Sequence, residues 1–124
     1  MKNMSRLLDA NAILRYLLND IPDQASEVEQ AINHSSFTIG EVIAEVVYVL
    51  QGVYKLERSE TTNALVVFLD EIDIAEKPVV KEALHEYAAT SLDYVDCVLY
   101  SRAKLLGENI LSFDKKLNKK ISEI

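Results

Sequence analysis

The sequence contains a single cysteine, Cys97, and no apolar stretch of the about 20 residues that a membrane-spanning helix needs. One cysteine cannot form a disulfide within the chain, and Cys97 is interpreted as a small buried apolar residue. The two histidines, His34 and His85, stand alone and are predicted to lie on the surface, so no zinc-site spacing exists. Residues 1–6 lack the long apolar region and the cleavage site of a signal peptide. These absences predict a cytoplasmic protein without a membrane segment.

Positive charge is also scarce, because 13 Lys and Arg residues stand against 20 Asp and Glu residues, for a formal net charge of −7. This balance argues against non-specific binding of nucleic acid, which usually needs a basic face. It does not exclude a metal-dependent enzyme that acts on phosphates. Divalent cations held by converging carboxylates would be the largest local charges and would reverse the local field.

Hydrophobic residues make up 49% of the chain and charged residues 27%, as in an ordinary globular protein. Residues 1–124 are predicted to form one domain with its own core. Short apolar runs alternate with helical patterns, which is typical of an α/β fold with a parallel sheet. Strands are predicted near residues 5–9, 35–39, 71–75 and 109–114, and helices at 12–18, 24–33, 41–54, 60–70, 78–88 and 93–106, followed by a basic turn at 115–120.

Residues 41–54 are apolar almost all the way round, which predicts a buried helix. Their β-branched content would also suit a strand, but the run is too long for a typical strand. Glu41 and Glu45 would lie one turn apart on one face. The helix dipole explains Glu41 in the first turn. Glu45 is flanked by Ala44 and Val46, where a carboxylate is costly unless it is paired or bound to metal.

Carboxylates recur where elements begin or end. Asp9 and Asp114 follow predicted strands, and Glu45 and Asp96 lie near the first turns of predicted helices. In an alternating β/α chain these positions share one edge of the sheet. Four carboxylates gathered there could not all ionise unaided, and Mg²⁺ or Mn²⁺, which prefers oxygen ligands, would solve this. The alternative for Asp9, and for Asp93 near Asp96, is a helix cap without further function.

These residues resemble the PIN-domain nucleases, and among them the VapC-like toxins of toxin–antitoxin pairs. The matching motifs are Leu7-Leu8-Asp9-Ala10-Asn11, Ala44-Glu45-Val46, Asp93-Tyr94-Val95-Asp96-Cys97-Val98-Leu99 and Ile110-Leu111-Ser112-Phe113-Asp114-Lys115-Lys116-Leu117. They occur in the family's order across essentially the whole chain. The resemblance implies a three-layer α/β/α sandwich around a short parallel sheet.

The resemblance also assigns the site. Asp9, Glu45, Asp96 and Asp114 match the family's acidic, catalytic metal-binding positions, and Asp93 matches a position that is acidic in some members. The polar positions that flank the metal site are matched by Asn11 and Ser112, and Ala10 replaces a frequent Thr or Ser. The implied cofactor is Mg²⁺ or Mn²⁺, and the implied reaction is hydrolysis of RNA to a 5′-phosphate and a 3′-hydroxyl. Candidates for holding the RNA backbone are Arg15, Lys104, Lys115 and Lys116, for which ordinary surface charge is the alternative.

A toxin of this type would have an antitoxin as its partner, and homodimers are a habit of the family. The predicted antitoxin surface is a groove between the early helices and the helix at 60–70, with candidate residues Tyr16, Leu17, Leu18, Val66 and Phe68. Two other functions stay open, a non-catalytic PIN-like module that binds protein or RNA and a stand-alone RNA-processing nuclease. A phospho-accepting receiver domain is disfavoured, because it would have an acidic pair after the first strand.

Overall fold

Ten short elements make up the fold in the computed structural model, which describes residues 5–124. In chain order they are β1 (Arg6–Leu7), α1 (Ala10–Leu18), α2 (Pro22–His34), β2 (Ser36–Thr38), α3 (Gly40–Gly52), α4 (Arg58–Leu69), β3 (Asp73–Ile74), α5 (Lys77–Ala89), α6 (Tyr94–Leu106) and α7 (Lys115–Ser122). The prediction about a signal peptide concerned residues 1–6. Residues 1–4 of this segment lie outside the described residues. Along 5–124 no helix has the length and apolar character needed to cross a membrane.

The three strands form one parallel sheet in the order β1-β2-β3. Arg6 pairs with Ser36 on β2, and Thr38 on β2 pairs with Ile74 on β3. Helices fill both connections between strands, as parallel pairing requires. The α/β class with a short parallel sheet is therefore confirmed.

The stretch that suited either a helix or a strand is the helix α3. Its buried residues are Ile43, Val46, Val47 and Leu50, spaced by three, one and three positions along one helical face. All four are at most 1% exposed and belong to the main hydrophobic cluster, together with residues of α1, α4, α5 and α6. Packing from several sides thus outweighs the modest helix propensity of valine.

The predicted strand at 109–114 is absent, which corrects the sequence-based expectation. Residues 107–114 have no regular secondary structure, and the side chains of Leu111 and Phe113 are 88% and 93% exposed. Local hydrogen bonds occupy this segment instead, because the Asp114 backbone amide donates to Ser112 Oγ and the Asn118 side-chain Nδ2 donates to the Ser112 carbonyl. Such local bonds compete with a strand ladder, and an apolar run without a paired neighbour does not form a strand by itself.

Gly107 ends α6 with a φ of +66°, as predicted, and its amide bonds to the Ala103 carbonyl. We expect Gly107→Ala to lower the free energy of unfolding by about 1 kcal/mol, because a Cβ is unfavourable in the left-handed region. The matched control is Gly52→Ala in the last turn of α3. A Cβ would meet nothing within 4 Å at either glycine, so only the backbone conformation differs. Urea unfolding should therefore show a loss for Gly107→Ala and no loss for Gly52→Ala, and equal effects would contradict this explanation.

Candidate active site

Asp9 and Asp114 hold equivalent positions in two turns that lead into helices. Asp9 Oδ1 accepts a hydrogen bond from the Ala12 amide at 2.8 Å and caps α1. Asp114 Oδ1 accepts one from the Leu117 amide at 2.8 Å and caps α7. Within residues 5–124 no hydrogen bond is made by the Oδ2 atom of either residue, so capping leaves one oxygen of each carboxylate for a ligand. The capping role of Asp9 is confirmed, and its role as a metal ligand stays a prediction.

Asp96 is half-buried in the first turn of α6. Burial raises the pKa of the Asp96 carboxyl, and the nearby charges of Asp114 and then Asp93 raise it further. These like-charge effects mean that the first turn of α6 and the start of α7 bring carboxylates within electrostatic range of one another.

Asp93 stands at the N-cap position of α6 but makes no capping hydrogen bond with its side chain. Its Oδ2 instead accepts a hydrogen bond from the Tyr48 hydroxyl at 2.9 Å. Burial, followed by this hydrogen bond, raises the pKa of Tyr48 to about 12, and the Val95 backbone amide acts in the opposite direction. Tyr48 is therefore a protonated donor at neutral pH.

Glu45 is exposed on α3, and so is Glu41 one turn before it. The expectation that Glu45 sits in an apolar environment is wrong, because the helix turns this residue to the solvent side while Val46 and Val47 pack inward. Glu45 lies one turn before Tyr48, and α3 packs against both α1 and α6. Asn11 is exposed on α1, and Ser112 is half-buried before Asp114.

The side chains of these acids do not form a closed ligand group. Among residues 5–124, no three Asp, Glu, His or Cys side chains are close enough together to hold a metal ion. The structure places Asp93 and Asp114 each within electrostatic range of Asp96. The convergence of Asp9 and Glu45 on this group stays a prediction. Both histidines are exposed, as expected from the sequence.

The basic candidates differ in how they are engaged. Arg15 pairs with Asp20 at 2.9 Å and donates to the Tyr54 hydroxyl, and Lys104 pairs with Glu82 at 2.8 Å. Lys115 and Lys116 are exposed, and no ion pair in the described part of the chain includes them. These two lysines directly follow Asp114, so they are the basic side chains nearest in sequence to an acidic candidate.

Arg58 on α4 binds backbone carbonyls just before α6, and this residue was not identified from the sequence. Its Nε donates to the Tyr87 carbonyl at 2.6 Å, its guanidinium also donates to the Leu92 carbonyl, and Cζ lies 3.8 Å from the centre of the Tyr87 ring. It thus ties α4 to the connection between α5 and α6. The buried Cys97 thiol lies 3.8 Å from the same Leu92 carbonyl, and burial raises the pKa of Cys97 to about 11, in agreement with a structural role.

Sequence reasoning also missed Tyr48. A signal existed, because Tyr48 lies three residues after Glu45 and so on the same helical face. No comparable signal existed for Arg58, since its partners are backbone carbonyls 29 and 34 residues away.

Comparison with known proteins agrees with the resemblance. The chain is 28% identical over 123 residues to a VapC ribonuclease of Aquifex aeolicus (strain VF5), with 92% of this chain and 90% of that protein covered. No solved structure gives a significant match. The family model of the PIN domain matches residues 6–121, nearly the whole chain. With its parallel α/β fold, the chain belongs to the PIN domain family.

Proposed function

We propose that this protein is a Mg²⁺- or Mn²⁺-dependent endoribonuclease whose site is built from Asp9, Glu45, Asp96 and Asp114. The observation that carries the proposal is that Asp9 and Asp114 each cap a helix through Oδ1 and leave Oδ2 without a hydrogen bond among residues 5–124, while the half-buried Asp96 lies within electrostatic range of Asp114. Carboxylates that repel one another at the starts of two helices are a favourable place for a divalent cation. The similarity to a VapC ribonuclease supports the same reaction class.

The residues fit such a cation by their chemistry. Every candidate ligand is a carboxylate, a hard oxygen donor of the kind that Mg²⁺ and Mn²⁺ prefer. Asp9 and Asp114 each keep one carboxylate oxygen free of capping. The described side chains form no preformed group of three ligands, so the proposal rests on donor type and electrostatics.

When bound, the metal would supply an activated water and positive charge for the phosphate. The protein's own contribution is to position the four carboxylates and to let one of them accept a proton from the attacking water. Lys115 and Lys116 would hold the RNA backbone beside Asp114, since they are exposed and unpaired within 5–124. Arg15 and Lys104 stay candidates that must first exchange their acidic partners Asp20 and Glu82. The expected products are a 5′-phosphate and a 3′-hydroxyl.

Metal binding should be visible as a shift in melting temperature. At a concentration 100 times the Kd, a ligand that binds only the native state adds about 2.7 kcal/mol to the free energy of unfolding. We expect Mn²⁺ to raise the melting temperature of the wild type and to leave that of Asp9→Asn unchanged. Asparagine caps a helix as well as aspartate does, so this substitution removes the charge and keeps the turn. Differential scanning fluorimetry with and without Mn²⁺ measures both proteins.

The control for this measurement is Asp23→Asn, which removes an exposed carboxylate from the first turn of α2. Its melting temperature should rise with Mn²⁺ as in the wild type. A melting temperature of the wild type that is insensitive to millimolar Mn²⁺ would instead support the non-catalytic PIN-like module.

We further propose that the protein is the toxin of a toxin–antitoxin pair, with the antitoxin bound between α1, α2 and α4. A groove of about 500 Å³ is present there. It is lined by Tyr16, Leu17 and Phe68, as the sequence predicted, and by Val67 in place of Val66. Val66 and Leu18 pack against the core instead. Glu29 and Glu71 also line the groove, which favours a segment with apolar anchors and basic residues.

Val67→Lys tests this surface. Val67 is 62% exposed in the groove, and Val53, at 67% exposure, is a matched control outside its lining. A cation beside Glu29 and Glu71 would compete for these carboxylates and replace an apolar contact, so it should weaken binding of a basic, apolar antitoxin segment about tenfold or more. Calorimetric titration with the protein encoded beside this gene measures the change, and Val53→Lys should bind normally. If no such neighbouring gene exists, the stand-alone RNA-processing nuclease is favoured.

A further inference from the structure

Among residues 5–124, three aspartates occupy N-cap positions, and one of them makes different hydrogen bonds from the other two. Asp9 and Asp114 cap α1 and α7 through Oδ1. Asp93 precedes α6 with the same extended backbone, yet its carboxylate does not cap the helix. A helix N-terminus normally favours the cap, which satisfies an otherwise unpaired amide. Something other than the cap therefore determines the position of the Asp93 side chain.

The competing partner is Tyr48 on α3. Its hydroxyl donates to Asp93 Oδ2 at 2.9 Å, while 41% of the side chain remains exposed. Within residues 5–124, this is the only side-chain hydrogen bond between α3 and the N-cap of α6.

A cavity separates part of the start of α3 from the start of α6. This cavity has a volume of about 360 Å³ and is lined by Gly40, Glu41 and Ala44 at the start of α3 and by Tyr94, Val95 and Val98 at the start of α6. Apolar packing alone therefore leaves freedom in how these two starts are placed relative to each other. The hydrogen bond from Tyr48 to Asp93 restrains the relative placement of α3 and α6 near Glu45 and Asp96.

We propose that Tyr48 is a positioning residue, which holds the Asp93 carboxylate and with it the first turn of α6 in place relative to Glu45. The inference rests on the proposed function, because it assigns Tyr48 to the same metal site. Tyr48 lies one turn after Glu45 on α3, and Asp93 lies one turn before Asp96 at the start of α6. The hydrogen bond between Tyr48 and Asp93 therefore sets the distance between the two helix segments that carry Glu45 and Asp96. It engages Oδ2 of Asp93 and leaves Oδ1 for a further ligand. A carboxylate oriented in advance loses less conformational freedom when a cation binds.

The test uses Mn²⁺ alone, titrated by calorimetry into the wild type, Tyr48→Phe, Asp93→Ala and the double variant. Phenylalanine keeps the ring and removes only the hydroxyl. The matched control is Tyr87→Phe, which removes a hydroxyl that donates from α5 to Gln51 on α3 and forms no hydrogen bond with an acidic side chain of residues 5–124. The unfolding midpoint of each variant is measured in parallel. RNA cleavage by Tyr48→Phe should fall in kcat at an unchanged KM.

We expect the Kd for Mn²⁺ to rise about tenfold in Tyr48→Phe, as is typical for residues that orient a metal ligand. Tyr87→Phe should bind Mn²⁺ as the wild type does. Its unfolding midpoint should nevertheless fall at least as far as that of Tyr48→Phe, because Tyr87 is only 1% exposed. In the Asp93→Ala background, Tyr48→Phe should have no further effect on the Kd, since the two residues act as a unit.

Two results would overturn the role of Tyr48 and leave the proposed function intact. One is an unchanged Kd and kcat in Tyr48→Phe. The other is an equal rise in Kd in the wild-type and Asp93→Ala backgrounds, which would mean that Tyr48 acts independently of Asp93. If the wild type itself binds no Mn²⁺, the proposed metal site fails and the positioning role fails with it. The wild-type titration thus separates the two failures.

Discussion

Replacing Asp96 by asparagine should reduce RNA cleavage about a thousandfold, because a metal-centred charge contributes several kcal/mol to the transition state and each 1.36 kcal/mol is a factor of ten. The substitution keeps the shape of the side chain and removes the charge that Asp114 and Asp93 oppose. Cleavage of labelled RNA in the presence of Mn²⁺, measured under single-turnover conditions, gives the rate. Cleavage by the variant at the wild-type rate would point to a contaminating nuclease.

The same variant should be no less stable than the wild type. Folding raises the pKa of Asp96, so the ionised carboxylate is disfavoured in the native state. A carboxyl whose pKa is raised by folding lowers the free energy of unfolding as the pH rises above the pKa of the unfolded state, so the penalty is present at neutral pH. Asparagine has no such penalty. Asp23→Asn, which removes an exposed carboxylate from the first turn of α2, should retain full activity and serves as the control for cleavage.

Arg58→Ala should lower the free energy of unfolding by about 3 kcal/mol, from two charge-assisted hydrogen bonds and a cation–π contact. The substitution leaves the carbonyls of Tyr87 and Leu92 without their donor in a partly buried place. Urea unfolding with an unchanged m value would attribute the loss to the native state. Arg58→Lys should recover only part of the stability, because one ammonium group cannot replace the planar guanidinium fork.

The control for Arg58 is Arg102→Ala. Arg102 also makes several contacts, to Glu76 and Glu108, but these are ion pairs on the surface. Such pairs contribute little to stability, so the loss should be much smaller than in Arg58→Ala. If Arg102→Ala lowered the free energy of unfolding as much as Arg58→Ala, the stabilising role of Arg58 at the α5–α6 connection would be refuted.

The helices could be predicted because their signals are local. Apolar residues at helical spacing identified α3 in spite of its valines, and Pro22 and Gly107 mark the start of α2 and the end of α6. The prediction of a strand at 109–114 was wrong because strand formation does not depend on local signals alone. A strand depends on a partner distant in sequence, and the apolar pattern of Leu111 and Phe113 carries no information about whether that partner is available.

The sequence by itself determined the α/β class, the positions of the carboxylates at the starts and ends of elements, and the membership in the PIN domain family. These depend on residue types and short spacings. Only the tertiary structure decided that Glu45 is exposed, that Asp93 bonds to Tyr48 and does not cap α6, and that Arg58 holds the α5–α6 connection. The last two depend on hydrogen bonds between residues 29 to 45 positions apart, and all three depend on how the helices pack.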